Sequence, residues 1–176
     1  MKTKILGPGR IPGRFFLSPL YLGSIVVLVA NNFWFKHSGI CPVLAGKLSD
    51  IAIMIFLPAL ISVGVLFLRY VRDWLSAVFE GDPDRQIDFP DRPSKSTLIA
   101  ALIVSGALMT AMKTSDTAME IYYQSLNFLN TALLGRTIAR PVKDYTDLVS
   151  LLFLAVPWLH LSEAPLISRW RRFRLL

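Results

Sequence analysis

"GKLSDIAIMIFLP" occupies Gly46–Pro58, and its second half opens an uncharged, mostly apolar run of eighteen residues, Ile51–Leu68. A helix crosses the hydrocarbon core of a bilayer with about 20 apolar residues, within a range of about 17–25, so this run is a candidate span. Pro58 inside it is compatible with that reading, because a membrane helix tolerates proline where neighbours satisfy the freed backbone group. An ionisable pair, Lys47 and Asp50, stands at the mouth of the run, with Ser49 beside the carboxylate. "KDYTDLVSLLFLAVP" (Lys143–Pro157) repeats the pattern: Thr146-Asp147 replaces Ser49-Asp50, and Pro157 replaces Pro58. The aspartate-to-proline spacing is eight residues in the first copy and ten in the second.

Three further blocks have the same character. Phe15–Phe35 is one. Its twenty-one residues exceed the roughly 7–15 of a signal-peptide core, and no A-x-A site follows in "LVANNFWFKH", so it reads as a retained span. Thr97–Met112 is the third span, slightly short. The fourth has its apolar core at Leu148–Leu161 and reaches Ile167 only by including His160 and Glu163; a re-entrant or interfacial segment is the alternative there. The chain has 176 residues, 53% of them hydrophobic, and a mean hydropathy of +0.50. That excess over a soluble domain is modest. The collection of apolar residues into long blocks, with the charges between them, decides the class.

"GKLSD" before an apolar run with a proline, and a later D-x-T-D-L before another, resembles a group of uncharacterised bacterial integral membrane proteins. The resemblance rests on the two motifs and the span count. It implies a bacterial membrane protein and carries no activity with it.

Between the spans, Glu80–Ser96 is rich in Pro, Asp and Arg and reads as an exposed linker. "TAMEIYYQSLNFLNTALLG" places Ala118, Ile121, Tyr122, Leu129, Ala132 and Leu133 near helical spacing, with Glu120, Gln124, Asn127 and Asn130 largely on another face. This predicts an amphipathic helix over 117–134 lying in the outer interface. The expected fold is an all-α membrane protein, a four-transmembrane-helix bundle of two parallel helical hairpins in a 2+2 repeat, plus that outer helix. Its parts are a basic N-terminus (1–14), a first hairpin (15–79), the linker (80–96), a second hairpin (97–167) and a basic tail (168–176).

A net charge of +7 could point to nucleic acid, but the basic residues flank apolar blocks, which points to membrane orientation instead. With four spans, thirteen Lys and Arg fall on the side holding both termini and six on the other. The positive-inside rule then places both termini in the cytoplasm of a cell with an inner membrane. The tail residues Arg169, Arg171, Arg172 and Arg174 are expected to meet anionic lipid head groups. The aromatic residues of "NNFWF" (Asn31–Phe35), with Trp74, Trp158 and Trp170, fit interfacial belts. Ala101 and Ser105, then Gly106 and Thr110, form a small-residue ridge that predicts close packing of the third span, within the bundle or between chains. Four spans bury a narrow core, so a homo-oligomer or a place in a larger membrane complex is expected.

The candidate site is the polar set at the outer ends of the spans: Lys36, Lys47, Ser49, Asp50, Lys113, Asp144, Thr146 and Asp147. Two readings compete. Ser and Thr are favoured helix N-caps, acids suit the first turn and lysines the last, so the set is what four well-terminated helices would show. Alternatively, ionisable groups at membrane depth mark a site for an ion, a proton or a polar head group. An enzyme is the remaining class, metal- or lipid-dependent, using Asp50, Asp144 and Asp147. Asp144 and Asp147 are three apart and can share a helical face. His37 and His160 fall on opposite sides of the predicted membrane and cannot share a site. Cys41 is the single cysteine, which excludes an internal disulfide and a cysteine-based zinc site. There is no phosphate-binding glycine loop and no nucleophile elbow, and no cofactor is implied.

Overall fold

A computed structural model describes residues 14–35, 42–81, 90, 92–135, 137 and 144–162, with the side chains of 14, 32, 33, 42–44, 129, 133 and 134 outside that description. The described residues are almost all helical, with no strand among them. A 3-10 turn, Arg14–Leu17, leads into α1, Pro19–Ala30, which passes into a π-helical turn at Asn31–Phe35. α2 covers Pro42–Phe79, α3 Lys95–Thr114 and α4 Asp116–Leu134. A 3-10 helix over Tyr145–Leu154 then continues directly into α5, Ala155–Leu161.

α2 is the axis of the molecule. α1, α3, the 3-10 helix and α5 all pack on it, and α3 also packs on the 3-10 helix and α5. At one end of the bundle, Phe15, Tyr21, Ala59, Leu66, Leu98 and Leu161 form a buried apolar cluster. The same cluster fixes chain direction. It joins the start of α1, the second half of α2, the start of α3 and the end of α5. At the opposite end, the close of α1 meets the start of α2, and the close of α3 meets the start of the 3-10 helix. The chain therefore runs up, down, up and down through four helical segments.

Two of these helices are long and apolar enough to cross a membrane, Ala45–Phe79 and Lys95–Thr114, while Pro19–Ala30 and Tyr145–Leu161 are shorter apolar helices. Only 33% of each long apolar window is buried inside the molecule, unlike the core helix of a soluble domain. Large apolar residues also stand on the outside. The fully buried positions include Tyr21, Met54, Leu66, Leu98 and Met109 together with Ser62, Ser105 and Asn31, whereas Val26, Phe67, Leu68, Ile103, Val149 and Leu152 point outward. Soluble monomers rarely expose apolar surface on that scale. Small and hydroxylated residues inside are what lets helix backbones approach when the surroundings are as apolar as the side chains.

The expected elements shift in two places. α2 begins at Pro42 and runs to Phe79, so the span Ile51–Leu68 lies inside a helix of 38 residues, about 57 Å long at 1.5 Å per residue. Pro58 does not interrupt it. The fourth segment starts at Tyr145, three residues before its apolar core, and winds as a 3-10 helix. Its residues beyond Ser162, including Glu163 and Ile167, lie outside the described residues, as do the basic tail 168–176 with Arg169, Arg171, Arg172 and Arg174, Trp170, and most of the linker. α4 appears within one residue of its expected bounds, capped by Ser115, whose hydroxyl accepts the Ala118 N–H at 3.3 Å, and closed by Gly135 at φ 64°. That positive φ is the left-handed cap conformation that glycine adopts without a Cβ clash.

Candidate functional site

The site is assembled by three elements that meet at one end of the bundle. α2 brings Lys47 and Asp50, α3 brings Lys113, and the 3-10 helix brings Thr146 and Asp147, with Asp144 as its N-cap. The Lys113 ammonium is the hub. It donates to Asp50 Oδ2 at 3.0 Å and to Asp147 Oδ2 at 2.5 Å, tying both hairpins to one cation. Lys47 reaches the other oxygen of Asp147 at 3.4 Å, donates to the Thr146 hydroxyl, and stands 4.0 Å from Asp144. Asp50, Lys113 and Asp147 are nearly sealed from solvent, and Lys47 is not. Three carboxylates thus face two ammonium groups, and a lysine shared by two acids is held far more firmly than an exposed pair.

The winding of the 3-10 helix explains why one element supplies so much. At three residues per turn, positions i and i+3 eclipse. Asp147 and Ser150 therefore stand in one column, about 6 Å apart at roughly 2.0 Å per residue, while Asp144 caps the helix in extended backbone. Asp147 and Ser150 are both buried, and the Ser150 hydroxyl has no hydrogen-bond partner among the described residues. A cleft of about 40 Å³ opens beside the column, lined by Lys47, Asp50, Ile51, Thr146, Asp147, Val149, Ser150 and Phe153. That is room for one to three waters or a small ion.

The capping reading is corrected at both motifs. Ser49 is the eighth residue of α2, not its N-cap, and Asp50 sits about 12 Å inside the helix end. Ser49 instead accepts a hydrogen bond from Asn31 Nδ2, which also donates to the Ala45 carbonyl. This clasp joins the π turn after α1 to the first turns of α2, and Asn31 is fully buried in it. Thr146 is not a cap either. The cap of the 3-10 helix is Asp144, whose Oδ1 accepts both the Thr146 N–H at 2.8 Å and the Thr146 hydroxyl at 2.7 Å. Those two bonds hold the Asp144 carboxyl below the usual carboxylate range. The clamp across hairpins, the other half of the structural reading, is present as the Lys113 bridge.

Of the eight expected residues, Lys47, Asp50, Lys113, Asp144, Thr146 and Asp147 converge, Ser49 belongs to the Asn31 clasp, and Lys36 lies outside the described residues. Asp50 and Asp147, named for the enzyme reading, share Lys113 rather than an open space, and Asp144 lies on the far side of Lys47. Among the described residues no three His, Cys, Asp or Glu side chains gather as a metal centre requires. Three participants were not singled out by sequence: Asn31, Ser150 and Tyr122. Ser150 carried a signal, its spacing of three from Asp147, but only a 3-10 winding turns that spacing into alignment. Tyr122, on α4, is half-buried over the site, and burial together with the Asp50 charge pushes its hydroxyl above the usual phenol range. No protein-family model matches the chain, and no curated protein or solved structure does so either.

Proposed function

We propose that the chain is an integral protein of a bacterial inner membrane, crossing four times as a 2+2 repeat of parallel hairpins with both ends cytoplasmic, and that it works without catalysis as a small transport-like protein or membrane subunit. The observation that carries this reading is the apolar exterior: large apolar side chains face outward along all four segments, while several serines, an asparagine and an ion network are enclosed with the apolar core. Length supports the fourth crossing. Seventeen residues of α-helix would span only about 25 Å, but ten residues of 3-10 helix followed by seven of α-helix reach about 30 Å, the thickness of a hydrocarbon core. The ion network then lies where the apolar segments meet the outer interface, and α4 lies across it with Ile121 and Phe128 turned outward toward lipid head groups. The basic tail meets anionic lipid on the cytoplasmic side.

Cys41, the single cysteine, falls between the first and second segments and supplies the test. In intact spheroplasts a membrane-impermeant maleimide should label Cys41, while a cysteine introduced at Ser96 should react only after permeabilisation. The protein should also stay in the pellet after alkaline carbonate extraction. Release by carbonate would sink the membrane reading; labelling of both positions from the same side would sink the four-crossing topology. Uptake or leak in proteoliposomes then separates a transport-like protein from a subunit.

A further inference from the structure

We infer that the outward face of α2 from Leu60 to its end is a homodimer interface, on which a second copy of this chain lays its own α2 in parallel. The inference rests on the membrane reading above: copies inserted the same way up pair like helices in parallel about a two-fold axis along the membrane normal. Over residues 51–59 no side chain of α2 is exposed. From Leu60 onward one face of the helix opens, and it stays open to Phe79.

Register comes first. Leu60, Gly64, Phe67, Val71, Trp74 and Val78 follow one another at alternating steps of four and three residues. That is the heptad spacing that keeps one seam of a helix against a parallel partner, and Val71 and Val78 take the positions where a β-branched residue favours two strands. Leu68, Leu75 and Phe79 widen the seam along one side, while Arg69, Arg72, Asp73 and Glu80 all fall off it. Among lipid tails an apolar seam carries no signal. Past Leu68, where charges return to the helix, the separation of apolar from charged positions does.

Length and area say what covers the seam. α2 continues for eleven residues beyond Leu68, about 16 Å, against a head-group layer of about 5–8 Å on one side. Trp74 stands at the edge of that layer, and Leu75, Val78 and Phe79 stand past it, where lipid does not reach. The seven large apolar side chains of the face are between 41% and 86% exposed. At about 200 Å² for a large apolar side chain they offer roughly 800 Å², which is what each partner of a stable complex covers. Gly64, in the middle, has nothing within 4 Å of where a Cβ would stand, so in a pair it lets the two backbones close and the Phe67 rings seat beside it. A cytoplasmic segment of the same chain would cover only the water side. The register runs unbroken from lipid into water, and that continuity selects a second α2.

The full chain with Cys41→Ser receives single cysteines along the water side of α2, and inside-out vesicles are treated with copper phenanthroline. A disulfide needs Cα atoms within about 7 Å, so linked dimer should peak at Val71→Cys, Trp74→Cys and Val78→Cys and be at least about fivefold weaker at Arg69→Cys, Asp73→Cys and Ser76→Cys. Val78→Glu sets two carboxylates face to face across the axis, so it should raise the dimer dissociation constant at least about tenfold in sedimentation equilibrium in detergent, while Ser76→Glu leaves it unchanged. Both positions are exposed, so neither change disturbs the single chain. Linkage at every position alike, or at none, overturns the proposal, and so do equal constants for Val78→Glu and the wild type. A cross-link within one chain between Val78→Cys and Phe173→Cys, in place of the dimer, overturns it too and assigns the seam to the tail. A protein that resists carbonate yet gives no periodic linkage fails only as a dimer; one released by carbonate fails the membrane reading whatever its linkage.

Discussion

Asp147 is the residue on which both lysines converge, and its burial makes it the most sensitive position in the molecule. Asp147→Asn would leave Lys113 with half its partners and Lys47 with none that is buried. Breaking a buried pair by removing one member costs on the order of 3–5 kcal/mol, and that loss is expected as a shift of the unfolding midpoint in mixed detergent micelles. Asp50→Asn leaves the Lys113–Asp147 bond in place and should cost visibly less. Equal midpoints for Asp147→Asn and the wild type would mean that the network does not hold the hairpins together. Asp144 gives a pH signature of its own. Its folded pKa is depressed by the bonds to Thr146, so its contribution is complete above the unfolded value near 3.8 and disappears as pH falls through the lower folded one. Acid titration followed by fluorescence should show a transition below about pH 4 that Asp144→Asn lacks. The convergence of Lys47, Asp50, Lys113 and Asp147 was legible in the sequence because charges between apolar runs have few places to go. Asp147 does stand in the first turn of its helix and Lys113 in the last turn of α3, but the helix start at Ser49-Asp50 was misread, because α2 begins eight residues earlier than the charge pattern suggests, at Pro42.

At the scale of elements, the decisive feature is helix type. Periodicity in an apolar block tells a span from a loop, but it does not tell 3.6 residues per turn from 3.0 when nearly every position is apolar. The 3-10 winding over Tyr145–Leu154 was therefore hidden, and Ser150 with it. The small-residue ridge on α3 was read from Ala101, Ser105, Gly106 and Thr110, and it holds for the first three, whereas Thr110 is exposed. Ala101 and Ser105 are buried. A Cβ at Gly106 would stand 3.3 Å from Leu154 Cδ1 and 3.9 Å from Leu151 Cδ2. Gly106→Ala asks only that the tip of Leu154 yield by a few tenths of an ångström. Gly106→Leu would force α3 and the 3-10 helix apart, costing about 1–3 kcal/mol or more as overpacking does, again measured as an unfolding midpoint. If Gly106→Leu behaves like Gly106→Ala, the close approach of these two elements is wrong.

For the whole molecule, the sequence and the structure agree on a helical bundle. The ridge predicted close packing of the third span, and α3 packs against α2, the 3-10 helix and α5, while α2 packs against α1 as well. Length fits the place of α2, since its 38 residues pass through the ionic end and the apolar end and continue beyond the latter. The exterior supplies a test that distinguishes lipid from water as the surroundings. Ile103 is 65% exposed on α3. Ile103→Asp on a water-facing surface would be neutral or would improve solubility. In the middle of a lipid-facing helix it should oppose insertion by about 2.5–3.5 kcal/mol, read as a lower membrane-inserted fraction in a glycosylation-mapping assay. Unchanged insertion would place that face away from lipid.

The alignment of Asp147 with Ser150 exists only while their helix keeps three residues per turn. Rewound as an α-helix, each residue would advance by about 100° instead of 120°, so Ser150 would swing about 60° out of line with Asp147. The same ten residues would shorten by about 5 Å, drawing the Asp144 end inward toward Lys113. Rotation and retraction are thus one motion in this element, and a single change of pitch would both part the hydroxyl from the carboxylate and alter how deep the acids stand.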